Sequence, residues 1–113
     1  MPRPQRCRRI CNEPEYGRFS PNGEDKNDVV NMSVDEYETI RLIDLEKKTH
    51  EEASVWMDIS RTTVTEIYES ARTKVADSIV NGKSLVISGG NYKVCGQCRK
   101  GQHGQKCRRF SSL

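Results

Sequence analysis

At 113 residues the chain has room for one small domain and its tails, and with 34% hydrophobic and 31% charged residues it is too polar to build a large buried core. No apolar run approaches the roughly 20 residues of a membrane helix, and the Arg-rich start is not followed by an apolar stretch, so a cytoplasmic location is expected. The net charge of +3 conceals a division, because residues 1–18 hold five Arg against two Glu, residues 24–58 four basic against eleven acidic side chains, residues 59–92 four against three, and residues 93–113 six against none.

Basic ends around an acidic middle fit a nucleic-acid binder whose arms follow the phosphate backbone, although charged tails also keep small proteins soluble. The opening MPRPQRCRRIC carries two prolines and four arginines before residue 10, which predicts an extended arm with Arg3, Arg6, Arg8 and Arg9 on phosphate or in the minor groove. Loop punctuation follows at Pro14, Gly17, Pro21 and Gly23, with Tyr16 and Phe19 as candidate anchors to the domain. The apolar run from Val29 to Met32 reads as a short strand. Residues 1–28 are therefore expected to be arm and loop, residues 29–92 the domain, and residues 93–113 a Cys-rich basic tail.

Ser33 is placed to cap a helix with Glu36 as its capping-box partner. That helix, Val34 to Glu46, turns Val34, Tyr37, Ile40, Ile43 and Leu45 inward and Asp35, Glu36, Glu38, Asp44 and Glu46 mostly to water. Next, THEEASVWMDISRTTVTEIYES reads as two helices joined by a tight turn. Thr49 caps the first with Glu52 as box partner, Ala53 and Ser54 are small where the helices would cross, and Ser60 caps the second. Asp58 stands where such turns usually have glycine, and Asp tolerates left-handed geometry better than most residues. Ile59, Val64 and Ile67 are spaced to close a small core.

This pattern predicts a helix-turn-helix, whose second helix enters the DNA major groove with its N-terminal side chains on base edges. Arg61, Thr62, Thr63, Thr65 and Glu66 are the candidate base readers. The second helix continues through Ala71, Val75, Ile79 and Val80 until Asn81-Gly82 stops it. That apolar stripe is longer than one motif needs, so a homodimer on DNA is expected. Leu85 to Ile87 form a second strand, ended by Gly89-Gly90, which can pair with Val29 to Met32.

Five cysteines in a reducing compartment point to metal or redox chemistry rather than to disulfides. Cys95-x-x-Cys98 has the spacing of a zinc-binding turn, and two sets can complete it. His103 and Cys107 give a Cys3His arrangement similar to a zinc knuckle, one residue short between His103 and Cys107. Cys7 and Cys11 instead give four thiolates that join the chain's two ends, and thiolates alone also suit an iron–sulfur cluster. Unliganded cysteines are the plain alternative. Neither His50 nor His103 has a Ser or Asp partner in a recognised motif and no Gly-rich phosphate loop is present, so no catalytic activity is expected.

Several separate stretches in order, namely MPRP with Arg8-Arg9, Glu15-Tyr16, SVDEYETIRLIDLE, ISRTTV, SARTKVADSIVNGKSL and Gly89-Gly90-Asn91-Tyr92, carry a resemblance over residues 1–92. The chain resembles a family of small uncharacterised prokaryotic proteins predicted to bind DNA through a helix-turn-helix like that of the promoter-contacting C-terminal domain of sigma factors. The resemblance implies a mainly α fold, a sigma-like three-helix core with short strands and extended basic termini, and a role in transcription regulation on double-stranded DNA. The alternative expectation is a zinc or iron–sulfur adaptor that contacts RNA polymerase or RNA.

Overall fold

The computed structural model describes residues 8–23 and 28–94. Three short strands, three helices and two further strands follow one another along them: β1 (Arg8–Ile10), β2 (Arg18–Phe19), β3 (Val29–Met32), α1 (Val34–Thr39), α2 (His50–Met57), α3 (Arg61–Asn81), β4 (Ser84–Ile87) and β5 (Tyr92–Val94). A π-helical segment, Ile40–Leu45, extends α1.

The strand expected at Val29 and the one expected at Leu85 do pair, in parallel, with Val30 opposite Leu85 and Met32 opposite Ile87. β4 is the middle strand of that sheet, because β2 joins its other edge antiparallel. A second sheet joins the described ends: β1 runs parallel to β5, with Arg8 opposite Tyr92 and Ile10 opposite Val94. Residues 8–10 are thus a strand within the domain, where an extended arm was expected, and Ile10 is buried with almost no exposure. The ladder satisfies backbone groups that a free arm would leave to water. Tyr16 and Phe19 do not anchor this region, since both are exposed.

Each helix starts where its side chains can take over the unpaired backbone donors. Ser33 and Glu36 form a reciprocal capping box on α1, Thr49 and Glu52 do the same on α2, and Ser60 accepts from the Thr63 amide at the start of α3. Between α2 and α3 the chain reverses at Asp58, which is left-handed at φ 61°, and Gly82 ends α3 in the same conformation. Leu42, Ala53, Trp56, Met57, Ile59, Val64 and Ile67, together with Cys11, form the core between these helices. Ala53 and Ser54 are both buried.

The segment after Val34 departs from the expected amphipathic helix in two ways. Its backbone widens from Ile40, so that the Glu46 amide donates to the carbonyl five residues back, on Arg41, at 2.9 Å. Leu45 consequently faces water, 74% exposed. The acidic side chains expected in solvent are largely inside: Asp35, Glu36 and Glu38 are buried. Glu38 meets the equally buried Arg41 through two hydrogen bonds of 3.0 and 2.8 Å, and its carboxylate also accepts from the Cys11 amide at 3.3 Å. Arg41 reaches Glu46 as well, at 2.8 Å. Burial alone would lower the Arg41 pKa, but the hydrogen bonds it donates to Glu38 and the nearby negative charges hold it above the ordinary arginine value.

Glu36 ties α1 to α3. Its carboxylate accepts from the Ser33 amide, from the Ser70 hydroxyl and from Lys74 Nζ at 2.8 Å. Burial pushes its pKa up, while these donors, Lys74 foremost, pull it down by more, so the net shift is below 4.5. Opposite Asp35 the chain needs glycine: a Cβ on Gly90 would come within 2.5 Å of the Asp35 carboxylate, and its φ of +104° disfavours other residues.

Candidate nucleic-acid interface

The sequence nominates the start of α3, and its geometry follows from the inward side of the helix. Val64, Ile67 and Ala71 are its buried residues. At about 100° per residue, the opposite side carries Thr62, Glu66, Glu69 and Thr73, with Arg61 and Arg72 beside it. Arg61, Thr62 and Glu66 are exposed, whereas Thr63 and Thr65 are half-buried. The five nominated residues therefore divide. Thr63 Oγ1 lies 2.9 Å from Ser60 Oγ inside the helix cap. Thr65 Oγ1 lies 2.8 Å from His50 Nδ1, at the start of α2.

His50, which has no partner in a recognised sequence motif, belongs to a polar cluster in the fold. Its ring meets Tyr68 edge-on at 5.1 Å between centroids. The Tyr68 hydroxyl donates to Asp44 at 2.6 Å, and burial together with that bond raises its pKa. Arg72 lies over the Tyr68 ring at 5.5 Å and 3.8 Å from Asp44. The π-helical segment, α2 and α3 thus hold one another through side chains that line one flank of the exposed face. His50 lies 15 residues from Thr65 and Asp44 lies 24 from Tyr68, too far apart in sequence for a motif to announce this. The only local sign was a histidine in a first helical turn.

The outward surface of α3 is mixed in charge, with Arg61 and Arg72 set among Glu66 and Glu69, rather than a basic stripe. Grip on phosphate would have to come from elsewhere, and of the four nominated arm residues the described two are engaged within the domain. Arg8 is buried 3.6 Å from Asp35. Arg9 lies 3.6 Å from Asp58, the turn residue between α2 and α3. The structure thereby corrects the expectation that Arg8 contacts phosphate, because the β1–β5 ladder turns it into the domain. Arg3 and Arg6 lie outside the described residues.

Of the nominated metal ligands, Cys7, Cys95, Cys98, His103 and Cys107 lie outside the described residues too. Cys11 is described and buried in the core, one residue beyond Ile10, whose strand partner Val94 directly precedes Cys95 in the chain. Among the described residues no group of three or more His, Cys, Asp or Glu side chains could hold a metal ion. Along α3 the apolar stripe nominated for dimerisation is buried at Ala71, half-buried at Val75 and exposed at Ile79. Among the described residues no helix is long and apolar enough to cross a membrane.

These features define a small helical protein with short strands, whose most exposed helix start is presented by a capped, left-handed turn. The family described as "Protein of unknown function DUF134" matches residues 1–95, and the chain belongs to that family. A UPF0251 protein of Desulfitobacterium hafniense is 55% identical over 98 residues, which cover 84% of this chain and 78% of that protein. Another, from Thermoanaerobacter pseudethanolicus, is 44% identical over 110 residues, covering 96% of this chain and 93% of that protein. A third, from Caldicellulosiruptor bescii, is 52% identical over 99 residues and is itself covered to 69%. No solved structure matches the chain.

Proposed function

We propose that this protein binds double-stranded DNA through a helix-turn-helix formed by α2 and α3 and acts as a transcription regulator. The observation that carries the reading is the α2–α3 pair itself: two capped helices, closed by a left-handed Asp58 turn, with the first two turns of the second helix left exposed at Arg61, Thr62 and Glu66. A helix presented in this way suits the major groove, which admits an α-helix and displays a distinct pattern of donors and acceptors for each base pair. Arg61 would take guanine O6 and N7, and Glu66 would accept from a cytosine amino group.

The basic residues of the two ends supply the sequence-independent attraction to phosphate that the mixed charge of α3 does not. The interface expected on this reading joins the start of α3 to residues before Arg8 and after Val94. The test is a salt titration of the full chain against a random duplex, a single strand and a duplex RNA of equal length. Tightest binding to duplex DNA, with log affinity falling linearly in log salt concentration, supports the reading. Equal or tighter binding to RNA, or no binding to any of the three at low salt, rejects it.

A further inference from the structure

The half-buried position of Thr65 separates it from the other nominated readers. Its Oγ1 is directed at His50 Nδ1, 2.8 Å away on α2, while its backbone sits on the outer half of α3 between Val64, which is buried, and Glu66, which is exposed. A threonine has two heavy groups on its Cβ and a stiff χ1, so fixing the oxygen also fixes the methyl. With the oxygen engaged at His50, the Cγ2 methyl is the remaining group of the side chain.

The imidazole is itself held, which makes the arrangement more than a chance contact. Tyr68 closes on the ring edge-on at 5.1 Å, and Tyr68 is anchored to Asp44 by its hydroxyl. Asp44 in turn faces Arg72. The chain Asp44, Tyr68, His50, Thr65 runs from the π-helical segment through α3 and α2 and back to α3, so three elements set one rotamer.

We infer that Thr65 reads thymine through its methyl group, and that His50 is the positioning residue that makes it a methyl reader rather than a hydrogen-bonding one. The inference rests on the DNA-binding reading and deepens it. In the major groove a thymine displays its C5 methyl, and an apolar contact to that methyl distinguishes thymine from the other bases. A threonine whose hydroxyl were available would accept or donate to several bases and discriminate less. His50 need not touch DNA to affect base preference.

The experiment uses the full chain and a duplex selected by it from a random pool, with each thymine replaced singly by uracil, which removes only the C5 methyl. One replacement should weaken binding about fourfold, the loss expected for one buried methyl group. Thr65→Val keeps the γ-methyl and removes the hydroxyl, so it should bind within about twofold of the native chain and keep the preference for thymine over uracil at that position. Thr65→Ser keeps the hydroxyl and loses the methyl, so it should bind the thymine duplex about fourfold more weakly and no longer notice uracil, the non-additivity that marks a direct contact. His50→Ala, with helicity checked by circular dichroism, should shrink the thymine preference without abolishing binding. Loss of binding by Thr65→Val with retention by Thr65→Ser would show that the hydroxyl reads DNA and would overturn the inference alone. A selected duplex indifferent to every uracil would do the same. Failure of the native chain to select or bind any duplex would overturn the DNA-binding reading and the inference with it.

Discussion

The α2–α3 pair and the α1 segment before it are both helical and both rich in charge, yet they use their charges in opposite ways. In α2 and α3 the acids at Glu51, Glu52, Glu66 and Glu69 stay at the surface or near it, and the core is apolar: Ala53, Trp56, Met57, Val64 and Ile67. In α1 and the π-helical segment the side chains of Asp35, Glu36, Glu38 and Arg41 are themselves interior. The first region is held by burial of apolar area and can leave one helix side unoccupied. The second is held by specific partners: Arg41 within the segment for Glu38, and, from elsewhere in the chain, Arg8 of β1 for Asp35, Ser70 and Lys74 of α3 for Glu36, and the Cys11 amide for Glu38. The acidic segment is therefore the joint of the molecule, and α3 is what it presents.

That contrast breaks most sharply at Glu38. Glu38→Ala removes two hydrogen bonds from the buried Arg41 guanidinium, leaving Glu46 as its carboxylate partner, and takes away the Glu38 oxygen that the Cys11 amide donates to, and should cost about 3–5 kcal/mol in a urea unfolding curve. A loss under about 1 kcal/mol would mean that the pair is solvated like an ordinary surface ion pair and that the two regions do not differ. The turn between α2 and α3 is the next test, because it depends on backbone geometry instead of charge. Asp58→Val places a β-branched residue at φ 61° and should destabilise by about 1–2 kcal/mol, whereas Asp58→Gly should stay within about 1 kcal/mol of the native chain despite losing the Arg9 ion pair. Equal stability of the two variants would show that the turn is not held left-handed.

The smallest effect is a pH dependence. Glu36 has a folded pKa below its ordinary 4.5, so folding favours the carboxylate. Its contribution is complete above that ordinary value and is lost as pH falls from it through the lower folded value. Glu36→Gln should flatten this acid limb of the stability curve, while leaving the dependence above pH 5 unchanged. An acid limb as steep in the variant as in the native chain would assign the slope to other carboxylates.

What was legible in the sequence is what neighbours decide. Ser33, Thr49 and Ser60 announce their helices because each acts on an amide three residues ahead, and Asp58 and Gly82 mark left-handed positions by their own side chains, or lack of one. The pairing of Val29–Met32 with Ser84–Ile87 was readable as two β-rich runs. What was not legible depends on distant parts of the chain. The acids of α1 look like a solvated face until Lys74, 38 residues on, and Cys11, 27 residues back, are brought to them. Leu45 fits the inward period of an α-helix and is exposed because the helix widens at Ile40 to let Arg41 serve both Glu38 and Glu46. Arg8 looks like one more basic arm residue until β5, at the far end of the described chain, pairs with it. At the candidate interface the same division holds: Arg61 and Thr62 follow from their place after the cap, but the engagement of Thr65 by His50 could not be read from spacing.

The central claim, that the start of α3 reads base sequence in duplex DNA, is tested most directly by selecting from a random duplex pool with the native chain and with Arg61→Ala in parallel. The account predicts that the native chain enriches a defined sequence containing guanine, and that Arg61→Ala, folded as judged by circular dichroism, loses about 1–3 kcal/mol on that sequence while its affinity for random duplex stays nearly unchanged. Equal losses on the selected and the random duplex, or no enriched sequence from the native chain, would contradict it.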